Sequence, residues 1–105
     1  MRLAGWNCHG ANSSAAVLAL SDMREKLIPD VLFLSESHLN KDKADDLHRK
    51  LKFDSMSVVE SDGRARGMVL FWNEDVKVLF EYISPNCIDV VIESDSNMKW
   101  TFTGF

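Results

Sequence analysis

The chain has 105 residues, a formal net charge of −4, 46% hydrophobic and 27% charged residues, and no excess of Gly or Pro. This composition excludes a disordered or fibrous chain, and the length bounds it to one domain that buries roughly 60–70% of the surface its unfolded chain would expose. The acidic balance excludes a plain basic platform for nucleic acid, so a phosphate ligand would need a bridging cation.

Cys8 and Cys87 lie far apart without framework spacing. That pattern argues against a disulfide scaffold and for a reducing, intracellular compartment, nuclear or cytoplasmic. No secretory apolar segment precedes the first strand, and the apolar runs fall far short of a membrane span, so no membrane partner is expected.

Leu3-Ala4-Gly5-Trp6-Asn7 reads as a first strand, followed by a polar turn and a helix beginning near Ser13 or Ser14. Ala16, Val17, Leu20, Met23 and Leu27 recur at three- and four-residue steps, which predicts one apolar stripe packed on a sheet. Pro29 disfavours the helical region for Ile28 and stops the helix. Val31 to Leu34 is continuously apolar, as expected for a central strand covered on both faces and parallel to the first.

After Glu36, residues 37–42 read as a polar run, and Ala44, Leu47 and Leu51 mark a second helix. Asp45 and Asp46 fall early in it and His48, Arg49 and Lys50 late, an order that suits the helix dipole. Residues 54–60 and 67–72 read as a hairpin turning at 61–64, and residues 76–83, 87–93 and 98–105 as three meander strands. Ile88, Val90 and Ile92 share one face, and Met98, Trp100 and Phe102 do the same in the next strand. The fold class is therefore α+β, a sandwich with its helices on one outer face. The chain stops at Thr103-Gly104-Phe105 inside a strand pattern, and the expectation is a truncated domain over residues 1–105.

Two strands end on polar, metal-competent side chains, Asn7 and Glu36. Buried strands that deliver such groups at their C-terminal ends are how many α/β sheets build a site at one rim. An ionised carboxylate beside a continuous apolar run is costly unless paired or metal-bound, which favours a ligand role for Glu36 over a solvated strand end.

Trp6-Asn7-Cys8-His9-Gly10, then Pro29 through Ser37 with its Leu34-Ser35-Glu36 end, then Gly63 through Trp72 together resemble the endonuclease/exonuclease/phosphatase superfamily, which is deoxyribonuclease I-like. Within it, the series is most similar to the N-terminal part of plant LINE-type (non-LTR) retroelement endonuclease domains. The resemblance implies the N-terminal portion of a four-layered α/β sandwich, a Mg²⁺ (or Mn²⁺) cofactor, DNA as partner and phosphodiester hydrolysis. It implies that Asn7 orients metal or scissile phosphate and that Glu36 is a metal ligand, both in the catalytic set. It places an Asp-x-Asn segment and an Asp-His pair downstream of residue 105, so this chain alone is expected to be inactive. Relatives often carry Gly where this chain has Arg66.

Plainer roles are expected elsewhere. His9, His38 and His48 lack zinc-site spacing with either cysteine, and His38 is not placed as a general base by its position alone. Arg64 and Arg66 read either as backbone contacts to nucleic acid or as a solvated turn, and Trp72 and Trp100 as core aromatics. The competing functional class is non-enzymatic: a degenerate copy that binds a partner, or itself, through an uncovered sheet face.

Overall fold

The computed structural model describes residues 2–8, 10–11, 13–60, 66–94 and 98–105. Its elements in chain order are β1 (Leu3–Asn7), α1 (Ser14–Leu27), β2 (Val31–Ser35), α2 (Lys41–Leu51), β3 (Ser55–Val59), β4 (Met68–Trp72), β5 (Val76–Ser84), β6 (Cys87–Ser94) and β7 (Lys99–Gly104). Every element expected from the sequence forms. The hairpin turn at 61–64 lies outside the described residues.

Local chemistry sets the helix ends. The Ser13 hydroxyl accepts from the Ala16 N–H at 3.1 Å, and the Asn40 carboxamide oxygen accepts from the Lys43 N–H at 2.9 Å, so each helix opens on a side-chain cap. Ile28 and Lys52 close the helices in the left-handed region, each returning its N–H to the carbonyl four residues back. At Ile28 the following proline disfavours a further right-handed turn, as the sequence predicts, and the residue leaves the helix by the left-handed region.

The strands form two sheets, one ordered β1-β2-β4-β3 and one ordered β5-β6-β7. β1 and β2 are parallel, and every other pairing is antiparallel. The four-stranded sheet is the middle layer. On one face Leu32, Leu34, Val69 and Phe71 meet Leu20 of α1 and Ala44, Leu47 and Leu51 of α2. On the other, Val31, Phe33, Met68 and Leu70 meet Ile88, Val90 and Ile92 of the second sheet. β2 and β4 are thus covered on both sides, which is why both read as unbroken apolar runs.

Three expectations need correction. Leu27 is 47% exposed, because it ends α1 where the chain swings away through Ile28; the working stripe is Val17, Leu20 and Met23. Leu39 does not belong to a polar run but is fully buried, filling the space between the α2 start and the helix-side core. Trp100 is not a core aromatic: it lies opposite Ile92 on the inward face, yet β7 is an edge strand and leaves it 36% exposed. Trp72 does pack in the core between the sheets, with Phe80 at 5.9 Å between ring centroids.

Candidate functional site

Strand direction alone brings the polar strand ends together. β1 and β2 run parallel and in register, so Asn7 pairs with Ser35, and Glu36 follows at the same rim. β4 runs the other way, with Met68 opposite Ser35, so the residues just before it, Arg66 and Gly67, arrive at that rim too. All three sequence segments singled out above converge there.

Backbone hydrogen bonds lace the converging loops. Cys8 N–H donates to Ser35 O at 3.2 Å, Gly10 N–H to Glu36 O at 2.8 Å and Ala11 N–H to Ser37 O at 2.9 Å. From the other side, Ser37 N–H donates to Gly67 O at 3.1 Å and His38 N–H to Arg66 O at 2.8 Å. Within this lacing Glu36 and His38 adopt left-handed backbone, at φ 50° and 54°. A non-glycine residue held there costs of order 1–3 kcal/mol, a strain that persists only where neighbours over-determine the conformation. Gly10 and Gly67, at φ 103° and 89°, supply the two turns in this lacing that side chains rarely adopt.

The rim opens into a cleft of about 310 Å³ lined by Asn7, Ser35, Glu36, Arg66, Asn86 and Phe105, among others. Asn86 comes from the β5–β6 turn, so the second sheet forms the far wall. Glu36 is bonded to the Arg66 guanidinium; the carboxylate side chain is 17% exposed and the guanidinium side chain 69%. This ion pair is the feature that sequence reasoning missed. The available signal was an acid ending one buried strand and a base preceding another, but only the antiparallel β2–β4 register makes them neighbours.

The remaining candidates fall away from the cleft. His38 is exposed and does not line it. His48 is structural: its Nε2 lies 2.7 Å from Phe53 O and its ring packs against Phe71. His9 and Arg64 lie outside the described residues. Cys8, just past β1, and Cys87, at the start of β6, are free thiols. Burial pushes the Cys8 thiol above its ordinary pKa, with the nearby Glu36 charge adding to the rise against two backbone hydrogen bonds that oppose it. Ser37, just behind Glu36, is fully buried and its hydroxyl has no hydrogen-bond partner among the described residues.

Among the described residues no group of three or more His, Cys, Asp or Glu side chains could hold a metal ion. Asn86 stands on the far wall, and at the rim itself, among the described residues, the oxygen donors include the Glu36 carboxylate and the Asn7 carboxamide. Both are hard oxygen donors, and they suit Mg²⁺ or Mn²⁺ in kind, since such ions keep several waters and use one or two protein carboxylates plus substrate oxygens.

Helices on one face of a mixed sheet, a second antiparallel sheet on the other, and a carboxylate at the strand rim define an α+β sandwich of the deoxyribonuclease I-like kind. A crystal structure of TDP2 from C. elegans matches 92% of this chain with a TM-score of 0.54 and 13% sequence identity. The likeness is one of fold, and the chain spans 32% of that structure's length. No family model matches the chain, and no curated protein matches it.

Proposed function

We propose that these 105 residues supply two corners of a metal-dependent phosphodiesterase site, of the type found in LINE-type retroelement endonucleases, with DNA as the substrate of the complete domain. The observation that carries this reading is the convergence of Asn7 and Glu36 at one rim through the parallel register of β1 and β2. A bound Mg²⁺ or Mn²⁺ would supply Lewis-acid polarisation of a phosphoryl oxygen. Glu36 would hold the cation by its carboxylate, and the Asn7 carboxamide would orient a phosphate oxygen beside it. Arg66 adds guanidinium donors of the kind that recognise phosphate. One carboxylate and one carboxamide bind a cation without completing a hydrolytic set, so the chain by itself is read as a cation-binding remnant without turnover. Two free thiols suit a reducing compartment, nuclear or cytoplasmic. No helix among the described residues is long and apolar enough to cross a membrane.

The test is Mn²⁺ binding by calorimetry. Glu36→Gln is expected to weaken it by about tenfold or more, as befits loss of the one side-chain carboxylate that lines the cleft among the described residues. Equal affinity in the two proteins would remove Glu36 from the site, and DNA cleavage by this chain under Mg²⁺, lost in Glu36→Gln, would overturn the inactivity.

A second reading, a binding or self-associating module, draws on the three-stranded sheet. Its outward face carries exposed Leu79 and Tyr82, and its edges leave Ile83 and Trp100 partly uncovered. Exposed apolar side chains gathered on one sheet tend to associate. This reading expects a concentration-dependent elution volume in size-exclusion chromatography that Leu79→Lys abolishes; a monomer at every concentration sinks it.

A further inference from the structure

The geometry points to Arg66 as a resident counter-ion of the cleft, a guanidinium that competes with a divalent cation for the Glu36 carboxylate. The inference rests on the reading of Glu36 as a cation ligand and adds what sets the affinity there. Its basis is the ion pair itself: the guanidinium Nη1 is bonded to Oε1, one of the two oxygens that the carboxylate offers a cation. The pair is one-sided in burial, with the carboxylate mostly withdrawn from solvent and the guanidinium mostly in it. Solvent therefore does little to neutralise Glu36 when the guanidinium leaves, whereas Arg66 is readily rehydrated. A cation beside the carboxylate is therefore favoured, and the arginine can be exchanged for another.

Arg66 is delivered to this place by its backbone rather than by its side chain. Its carbonyl accepts from the His38 N–H, and the next carbonyl, of Gly67, accepts from the Ser37 N–H, so the segment before β4 is tied to the loop that carries Glu36. Any residue at position 66 keeps those two bonds. Removing the side chain therefore strips a cation from Glu36 without undoing the loop.

Mn²⁺ affinity measured by calorimetry on the full chain, for wild type, Arg66→Ala, Arg66→Gln and Glu36→Gln/Arg66→Ala, decides the matter, with thermal melting to confirm that each is folded. Arg66→Ala and Arg66→Gln are expected to bind Mn²⁺ about two- to fivefold more tightly than wild type, the upper part of the range of an exposed ion pair. The double variant is expected to lose that gain. Unchanged or weaker affinity in both Arg66 variants, with binding still dependent on Glu36, would overturn the counter-ion role and leave the cation site standing. Absence of Glu36-dependent binding in wild type and Arg66 variants alike would overturn the site and this inference together.

Discussion

Phe71→Ala is expected to destabilise the protein by about 3–5 kcal/mol, the range for truncating a buried aromatic side chain. Phe71 is fully buried on β4, in the layer between the central sheet and the helices. Its ring stacks on Phe53, with centroids 5.5 Å apart and planes 18° from parallel, and meets the His48 ring at 5.8 Å. Phe53 is in turn capped by the Arg24 guanidinium, 4.2 Å above its ring centroid, and its carbonyl is held by His48. Arg24 belongs to α1, His48 to α2 and Phe71 to the sheet, so one ring stack ties both helices to the central layer. Shortening Phe71 leaves a void that this cross-linked stack cannot collapse into without breaking its own contacts. A domain of this size has about 5–15 kcal/mol in hand, so much of the margin goes. Urea unfolding followed by far-UV circular dichroism measures it; a loss below about 1 kcal/mol would mean that the stack relaxes freely, contrary to the close packing expected of such interiors.

The same stack shows which parts of the fold the sequence makes legible. Continuous apolar runs mark strands covered on both faces, and Val31 to Leu34 divides as that rule demands: Leu32 and Leu34 face the helices, Val31 and Phe33 the other sheet. Alternation places Ile88, Val90 and Ile92 inward, and the charge order of α2 follows its dipole. Side chains whose fate depends on neighbours in space are not legible in this way. Leu39 sits among polar residues and reads as loop, but the loop folds it into the core. Trp100 has the right period for the core but lies on a strand with no neighbour beyond it among the described residues.

The candidate site divides along the same line. Asn7 and Glu36 could be found because a polar residue at the end of an apolar run is a one-dimensional signal, and the parallel pairing of consecutive strands across a helix follows from the βαβ pattern. The Arg66 partnership could not be found so. It requires β4 to insert beside β2, with β3 outside it, a strand order that no spacing in the chain states. The left-handed backbone at Glu36 is equally silent in the sequence, since it sits where the Gly10 N–H donates to the Glu36 carbonyl and the next N–H, of Ser37, donates to the Gly67 carbonyl. Local composition thus yields the two polar strand ends that meet at the rim, and tertiary register supplies the charge beside one of them.

Gly104→Ala is expected to cost about 1–3 kcal/mol, the usual range for forcing extra volume into a packed interior. The reason is space, not backbone conformation. A Cβ built on Gly104 would sit 2.6 Å from Phe33 Cζ, 2.8 Å from Cε1 and 3.0 Å from Cε2. All three atoms belong to one ring, so no flexible chain end can give way; the whole phenyl group must move. That ring is buried on β2 and meets Phe102 edge-on at 5.3 Å, and Phe102 belongs to the same strand as Gly104. A displaced Phe33 therefore presses back on β7 or disturbs β2, the strand that carries Ser35 and leads into Glu36. A double-mutant cycle separates this clash from any general intolerance of β7. With Phe33→Leu in place the shorter side chain leaves room, and Gly104→Ala is expected to cost about 1 kcal/mol less than in wild type, a coupling typical of residues in contact. The same loss in both backgrounds would show that Phe33 is not what the glycine makes room for.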